Sequence, residues 1–202
     1  MKRLLLHTCC APCLIVPLER FTDEGYEVTA AYINPNIHPV EEYNRRSDAF
    51  RDYAESRSII VLVSPYDTEQ WELIVGSVGG PYPLIKGSPR YESNLDLRRK
   101  RCRLCYKVRF EQVAQLAEEQ GFDGIATTLT ISPYQFTDII CEELEAACVR
   151  RKIEAVRIDF KKYYPEATQR SRALGMYRQN FCGCHFSRQE AELERQDRKQ
   201  KD

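Results

Sequence analysis

Five short apolar runs recur along the chain, at Arg3–His7, Val28–Ile33, Ile59–Val63, Ile125–Leu129 and Glu154–Ile158. Their residue types and lengths are those of buried strands. The segments between them carry helical spacing. Pro12 to Glu24 follows the first run and Glu41 to Ser56 follows the second. Tyr106, Phe110, Val113 and Ala117 step by four, three and four, and Ile140, Leu144 and Ala147 share one face of Asp138 to Arg151. Strand and helix in alternation predict an α/β fold with a mostly parallel sheet and helices on both faces. The stretch Gly76 to Glu92, rich in Gly and Pro, fits neither period and predicts a long loop. With a strand order of 3-2-1-4-5, the first strand neighbours the fourth, and the ligand crevice opens at their carboxyl ends. His7–Cys13 and Thr127–Pro133 would then face one crevice.

At 202 residues the chain is long enough for one domain with a real core. The expected division is a single α/β domain over 1–187 and a charged tail over 188–202. Net charge is zero, so no overall basic field points to nonspecific DNA binding. The first apolar run is too short for a signal peptide, and no run reaches the length of a membrane span. A cytoplasmic protein without a membrane partner is expected. In that compartment structural disulfides are rare, and nine cysteines point to metal binding or redox chemistry.

Seven of the nine fall in three tight groups: Cys9, Cys10 and Cys13; Cys102 and Cys105; and Cys182 and Cys184. Cys141 and Cys148 lie seven apart on an expected helix, and core packing accounts for them. Seven thiols exceed the four of a tetrahedral zinc site. A [4Fe-4S] cluster takes four and leaves a surplus for a second metal or a redox pair, so the count favours iron–sulfur chemistry. Adjacent Cys9 and Cys10 point to opposite sides in an extended strand. They converge only where the strand breaks, and Ala11-Pro12 supplies that break.

These motifs resemble the epoxyqueuosine reductase family QueH, which acts at the last step of queuosine biosynthesis in tRNA. The resemblance runs through His7-Thr-Cys-Cys-Ala-Pro-Cys13, Arg101-Cys-Arg-Leu-Cys-Tyr-Lys107, Thr127-Thr-Leu-Thr-Ile-Ser-Pro133, Asp159-Phe-Lys-Lys162 and Tyr177-Arg-Gln-Asn-Phe-Cys-Gly-Cys-His-Phe-Ser187. It implies a Rossmann-like sheet of the HUP type and a cluster held by Cys9, Cys10, Cys102 and Cys105. It also implies a redox-active pair, Cys182 and Cys184. Cys13 is a candidate ligand for an additional mononuclear iron. The substrate would be tRNA carrying epoxyqueuosine, and an electron donor that the sequence does not name would be needed. Arg98, Arg99, Lys100, Arg101, Arg103, Lys107 and Arg109 cluster around the CxxC. Arg101, Lys161, Lys162 and Arg178 are the candidate tRNA contacts, with Tyr82, Tyr91 and Tyr134 as stacking platforms. Tyr134, His7 and His185 are the candidate proton donors.

Two rival classes stand beside this expectation. An ATP-dependent tRNA-thiolating enzyme needs a glycine-rich phosphate loop after the first strand, and no glycine precedes Gly25. A zinc-stabilised RNA-binding module needs no surplus thiols.

Overall fold

The computed structural model describes residues 1–201; Asp202, the end of the charged tail, lies outside them. Five parallel strands form one sheet: β1 (Arg3–His7), β2 (Glu27–Tyr32), β3 (Val61–Val63), β4 (Gly124–Thr127) and β5 (Glu154–Ala155), in the order β3-β2-β1-β4-β5. Every neighbouring pair is parallel, with Leu5 opposite Thr29 on one side and Ile125 on the other. The expected class and order therefore hold. The outer strands are shorter than their apolar runs, because only Glu154 and Ala155 of the last run find ladder partners.

Alternation along β1 divides the core. Leu4 and Leu6 point to one face, where Leu14 and Phe21 of α1 (Ala11–Asp23) and Phe50 of α2 (Val40–Ser56) pack. Leu5 points to the other, against Phe110 and Val113 of α4 (Tyr91–Gln120), which follows α3 (Glu69–Val75), and Ile140 and Leu144 of α5 (Thr137–Arg151). Each such fully buried side chain contributes roughly 1.5–3 kcal/mol of transfer free energy. His7 shares the parity of Leu5 and so meets the α4 face, its ring edge-on to Phe110 at 5.5 Å.

The sequence pattern did not predict α3, α6 (Tyr164–Ala173) or the full length of α4, whose 30 residues include the CxxC. The Gly- and Pro-rich stretch is irregular from Gly79 to Arg90, after one 3-10 turn at Gly76–Val78. The charged tail is helical: α7 spans His185–Lys201 and is docked on α4. Glu190 and Glu194 reach Arg98, and Glu190 is buried against Arg101. A third apolar cluster, built by Trp71, Val75, Cys105, Val108, Cys184 and Phe186, ties α3, α4 and α7 together beside the sheet. Among the described residues no helix is long and apolar enough to cross a membrane.

Candidate active site

The site begins where β1 stops. Thr8 still donates its amide to Ala31 O at 2.7 Å, but Cys10 is already the residue that caps α1, and Pro12 sits in the first turn. The extended backbone at Cys10 followed by a helix brings Cys9, Cys10 and Cys13 together, their sulfurs all within 4.8 Å of one another. Cys10 Sγ lies 2.8 Å from Cys13 Sγ and 3.8 Å from Cys9 Sγ. Cys9 N meets Thr128 Oγ1 at 3.4 Å, so the ends of β1 and β4 share one crevice, as their adjacency requires. The turn offers little to a phosphate. The amides of Thr8 and Cys9 are engaged within the fold and Pro12 has none, which argues against nucleotide chemistry.

The second group forms on α4. Cys102 and Cys105, three apart on α4, are neighbours on one helix face. With Cys182 and Cys184 they line a cleft of about 500 Å³, part of it open to solvent, with Tyr134 and Gln135 at its rim. Gly183 lets the CxC segment approach the loop after β2: at its φ of +142°, a Cβ there would sit 2.9 Å from Ile37 Cγ1. Gln179 contacts the Cys10 thiol and so connects this segment to the first group.

Arg109 stands between the groups. It is 1% exposed, donates to Asn34 Oδ1 at 2.6 Å and lies 3.3 Å from His7 Nε2. Hydrogen bonds from the Cys10 and Cys13 thiols hold Cys9 well below the usual thiol range, and the Arg109 charge acts in the same direction. Burial raises Cys10, while hydrogen bonding to Cys10 and Cys9 raises Cys13. Burial likewise raises Cys102 and Cys105, the latter opposed by Arg109, and pushes Cys184 up to about 12. All nine cysteines are free thiols. Cys148 is buried in the α4–α5 core, as core packing requires, whereas Cys141 is half-buried and lies outside that cluster.

Over residues 4–190 the chain matches the family model described as Epoxyqueuosine reductase QueH. The chain belongs to that family. It is 32% identical to the Thermotoga maritima epoxyqueuosine reductase QueH over 192 residues, covering 93% of this chain and 91% of that one. It is 29% identical to the Dehalococcoides mccartyi epoxyqueuosine reductase QueH, with 93% of each chain covered. Among solved structures, a crystal structure described as a predicted subunit of tRNA methyltransferase from Methanocaldococcus jannaschii superposes with a TM-score of 0.53. It covers 85% of this chain and 75% of its own at 11% identity, a likeness of fold alone.

Two sequence expectations need correction within this QueH chain. Arg101 is not a surface contact for tRNA: it is 2% exposed and gripped by both oxygens of Glu190, at 2.7 and 2.9 Å. Its neighbours form more exposed ion pairs, Arg99 with Asp138 and Arg103 with Glu142 and Glu143, which leaves Lys100 and Lys107 around the CxxC exposed and without an ion pair among the described residues. His7 is no proton donor to a substrate. It is fully buried between Thr127 Oγ1 and Ile33 O, and burial, reinforced by Arg109, pushes it down to about 3. Of the remaining candidates, Lys162 and Arg178 are exposed and Lys161 is half-buried, while Tyr134 is 79% exposed at the cleft rim. His185 points towards Glu72. Sequence reasoning missed Asn34, Trp71 and the special position of Arg109. For Asn34 the available signal was a polar Asn-Pro-Asn run directly after a buried strand that neighbours β1.

Proposed function

We propose that this chain reduces epoxyqueuosine to queuosine in tRNA, using an iron–sulfur cluster held at the mouth of β1 and α4. The observation that supports this most is the gathering of seven free thiols into two groups, Cys9, Cys10 and Cys13 after β1 and Cys102, Cys105, Cys182 and Cys184 around one cleft, in a chain that matches the QueH family over residues 4–190. The donor set fits such a group. Thiolates are the ligands iron–sulfur clusters take, and the buried Arg109 cation, which forms no ion pair among the described residues, can offset the negative charge that bound thiolates carry. Cys9, Cys10, Cys102 and Cys105 are the assigned cluster ligands. A four-iron cube spaces its thiolates more widely than a single ion does, so ligands drawn from both groups suit it. Cys13, close to Cys10, is the candidate ligand for an additional iron. The cluster supplies electrons one at a time.

The overall reaction takes two electrons and two protons: both C–O bonds of the epoxide break, a C=C bond forms and the oxygen leaves as water. A dithiol pair going to a disulfide releases two electrons and two protons, the same balance. Cys182 and Cys184 are assigned that role. Tyr134, exposed beside the cleft, is assigned to stack against an unpaired base or to hold a proton, and Lys161, Lys162 and Arg178 are the assigned phosphate contacts. The setting is cytoplasmic, and the electron donor is a separate low-potential protein or reductant.

The test is conversion in vitro. Anaerobically purified protein with its cluster and a strong reductant should yield queuosine in tRNA taken from cells that accumulate epoxyqueuosine. Unchanged nucleoside in the presence of an intact cluster would count against the reading.

A further inference from the structure

Two of the three histidines in this chain meet one carboxylate outside the thiol groups. His38 follows β2, Glu72 lies on α3 and His185 opens α7. Their ligand atoms all lie within 4.8 Å of one another. Glu72 Oε1 is 3.5 Å from His38 Nε2 and 3.3 Å from His185 Nδ1. We propose that His38, Glu72 and His185 form a mononuclear zinc site, distinct from the thiol centre.

The spacing suits an ion. Tetrahedral bonds of about 2.0–2.1 Å to nitrogen and oxygen set neighbouring donors roughly 3.3 Å apart. His38 Nε2 is buried, has no hydrogen-bond partner among the described residues and lies 3.5 Å from Glu72 Oε1, so it is free to serve as a ligand there. Burial also lowers the basicity of His38, which favours the neutral, metal-binding form. Two imidazoles and one carboxylate make a donor set typical of zinc and of ferrous iron, and one that differs in kind from the thiolates nearby.

The ligands are held in place. Trp71, fully buried, packs its ring 5.3 Å from the His38 ring and 5.9 Å from the His185 ring. His38 N donates to Gly183 O at 3.0 Å, which links the metal-facing loop to the CxC segment. Trp71 also belongs to the apolar cluster that contains Cys105 and Cys184, so the histidine group and the cleft thiols share one packing support. The Glu72 and His185 side chains are 40% and 37% exposed. Three protein ligands with an open outer face leave coordination positions for water or a ligand.

Full-length protein, purified anaerobically with the iron it carries, would be equilibrated with zinc and its metals counted. Glu72→Gln and His185→Asn, both at partly exposed positions, should each bind one zinc equivalent fewer than wild type while keeping the wild-type melting temperature and iron content. X-ray absorption at the zinc edge should assign to the lost equivalent a shell of nitrogen and oxygen at about 2.0–2.1 Å. Equal zinc in wild type and variants would overturn the proposal. So would a lost equivalent with sulfur at about 2.3 Å, which would place the ion on the thiols.

Discussion

Arg109 donates from Nη2 to Asn34 Oδ1 at 2.6 Å and, although 1% exposed, has no carboxylate partner among the described residues. The other two fully buried arginines each have one: Arg46 pairs with Glu42 and Arg101 with Glu190. An uncompensated buried cation costs several kcal/mol, so a compensating charge is expected beside it, and Cys9, whose thiol is held low with help from the Arg109 charge, is the candidate to supply it. Arg109→Met, which keeps bulk and removes charge, should shift the cluster to a more negative reduction potential by the order of 100 mV. A unit charge about 5 Å away at an effective dielectric constant of about 20 is worth roughly 3 kcal/mol. Redox titration of the loaded variant reads this out, and an unchanged potential in a folded variant would remove Arg109 from the site.

The docking of α7 includes one fully buried pair, Glu190 with Arg101. Glu190→Gln leaves the Arg101 guanidinium buried without its charge partner, and breaking such a pair costs about 3–5 kcal/mol. Glu192→Gln, which touches only the exposed Arg188, should stay within about 0.5 kcal/mol of wild type. Chemical denaturation of both variants provides the comparison.

The acid limb of the stability curve has an identifiable contributor. The Arg170 guanidinium hydrogen-bonds Glu19 and holds its carboxyl below the usual range. A depressed carboxylate stabilises the fold above its unfolded value near 4.5 and loses that contribution as pH falls through the folded value. Both groups are partly exposed, so the effect is at most about 1 kcal/mol. Glu19→Gln should lower stability at pH 7 by about that amount and flatten the decline below pH 4.5.

The thiols divide into roles that variants can separate. Cys102→Ala should abolish iron loading, whereas Cys182→Ala should retain iron and lose turnover. Loss of iron in the Cys182 variant would make it a ligand rather than a redox partner. Tyr134→Ala, at a position 79% exposed, should keep the melting temperature and raise the KM for tRNA.

Much of this arrangement was legible in the chain. The strands are legible as apolar runs, because a buried parallel strand reads as a short continuous apolar stretch, and the order assumed for a doubly wound sheet then brings His7–Cys13 to Thr127–Pro133. Helix α3 was not legible: seven residues are too few to establish a 3.6-residue period. The basic run around the CxxC looked like a nucleic-acid patch because its partners Asp138, Glu142, Glu190 and Glu194 lie 39 to 96 residues away. The same distance hid the grouping of His38, Glu72 and His185, which only the packing around Trp71 brings together.

The central claim is epoxide reduction on tRNA, and nucleoside mass spectrometry addresses it most directly. Cluster-loaded wild-type protein with a strong reductant should replace epoxyqueuosine by a nucleoside lighter by one oxygen, and Cys182→Ala with the same cluster content should not. Epoxyqueuosine left intact by wild-type protein whose cluster survives the incubation would contradict the account.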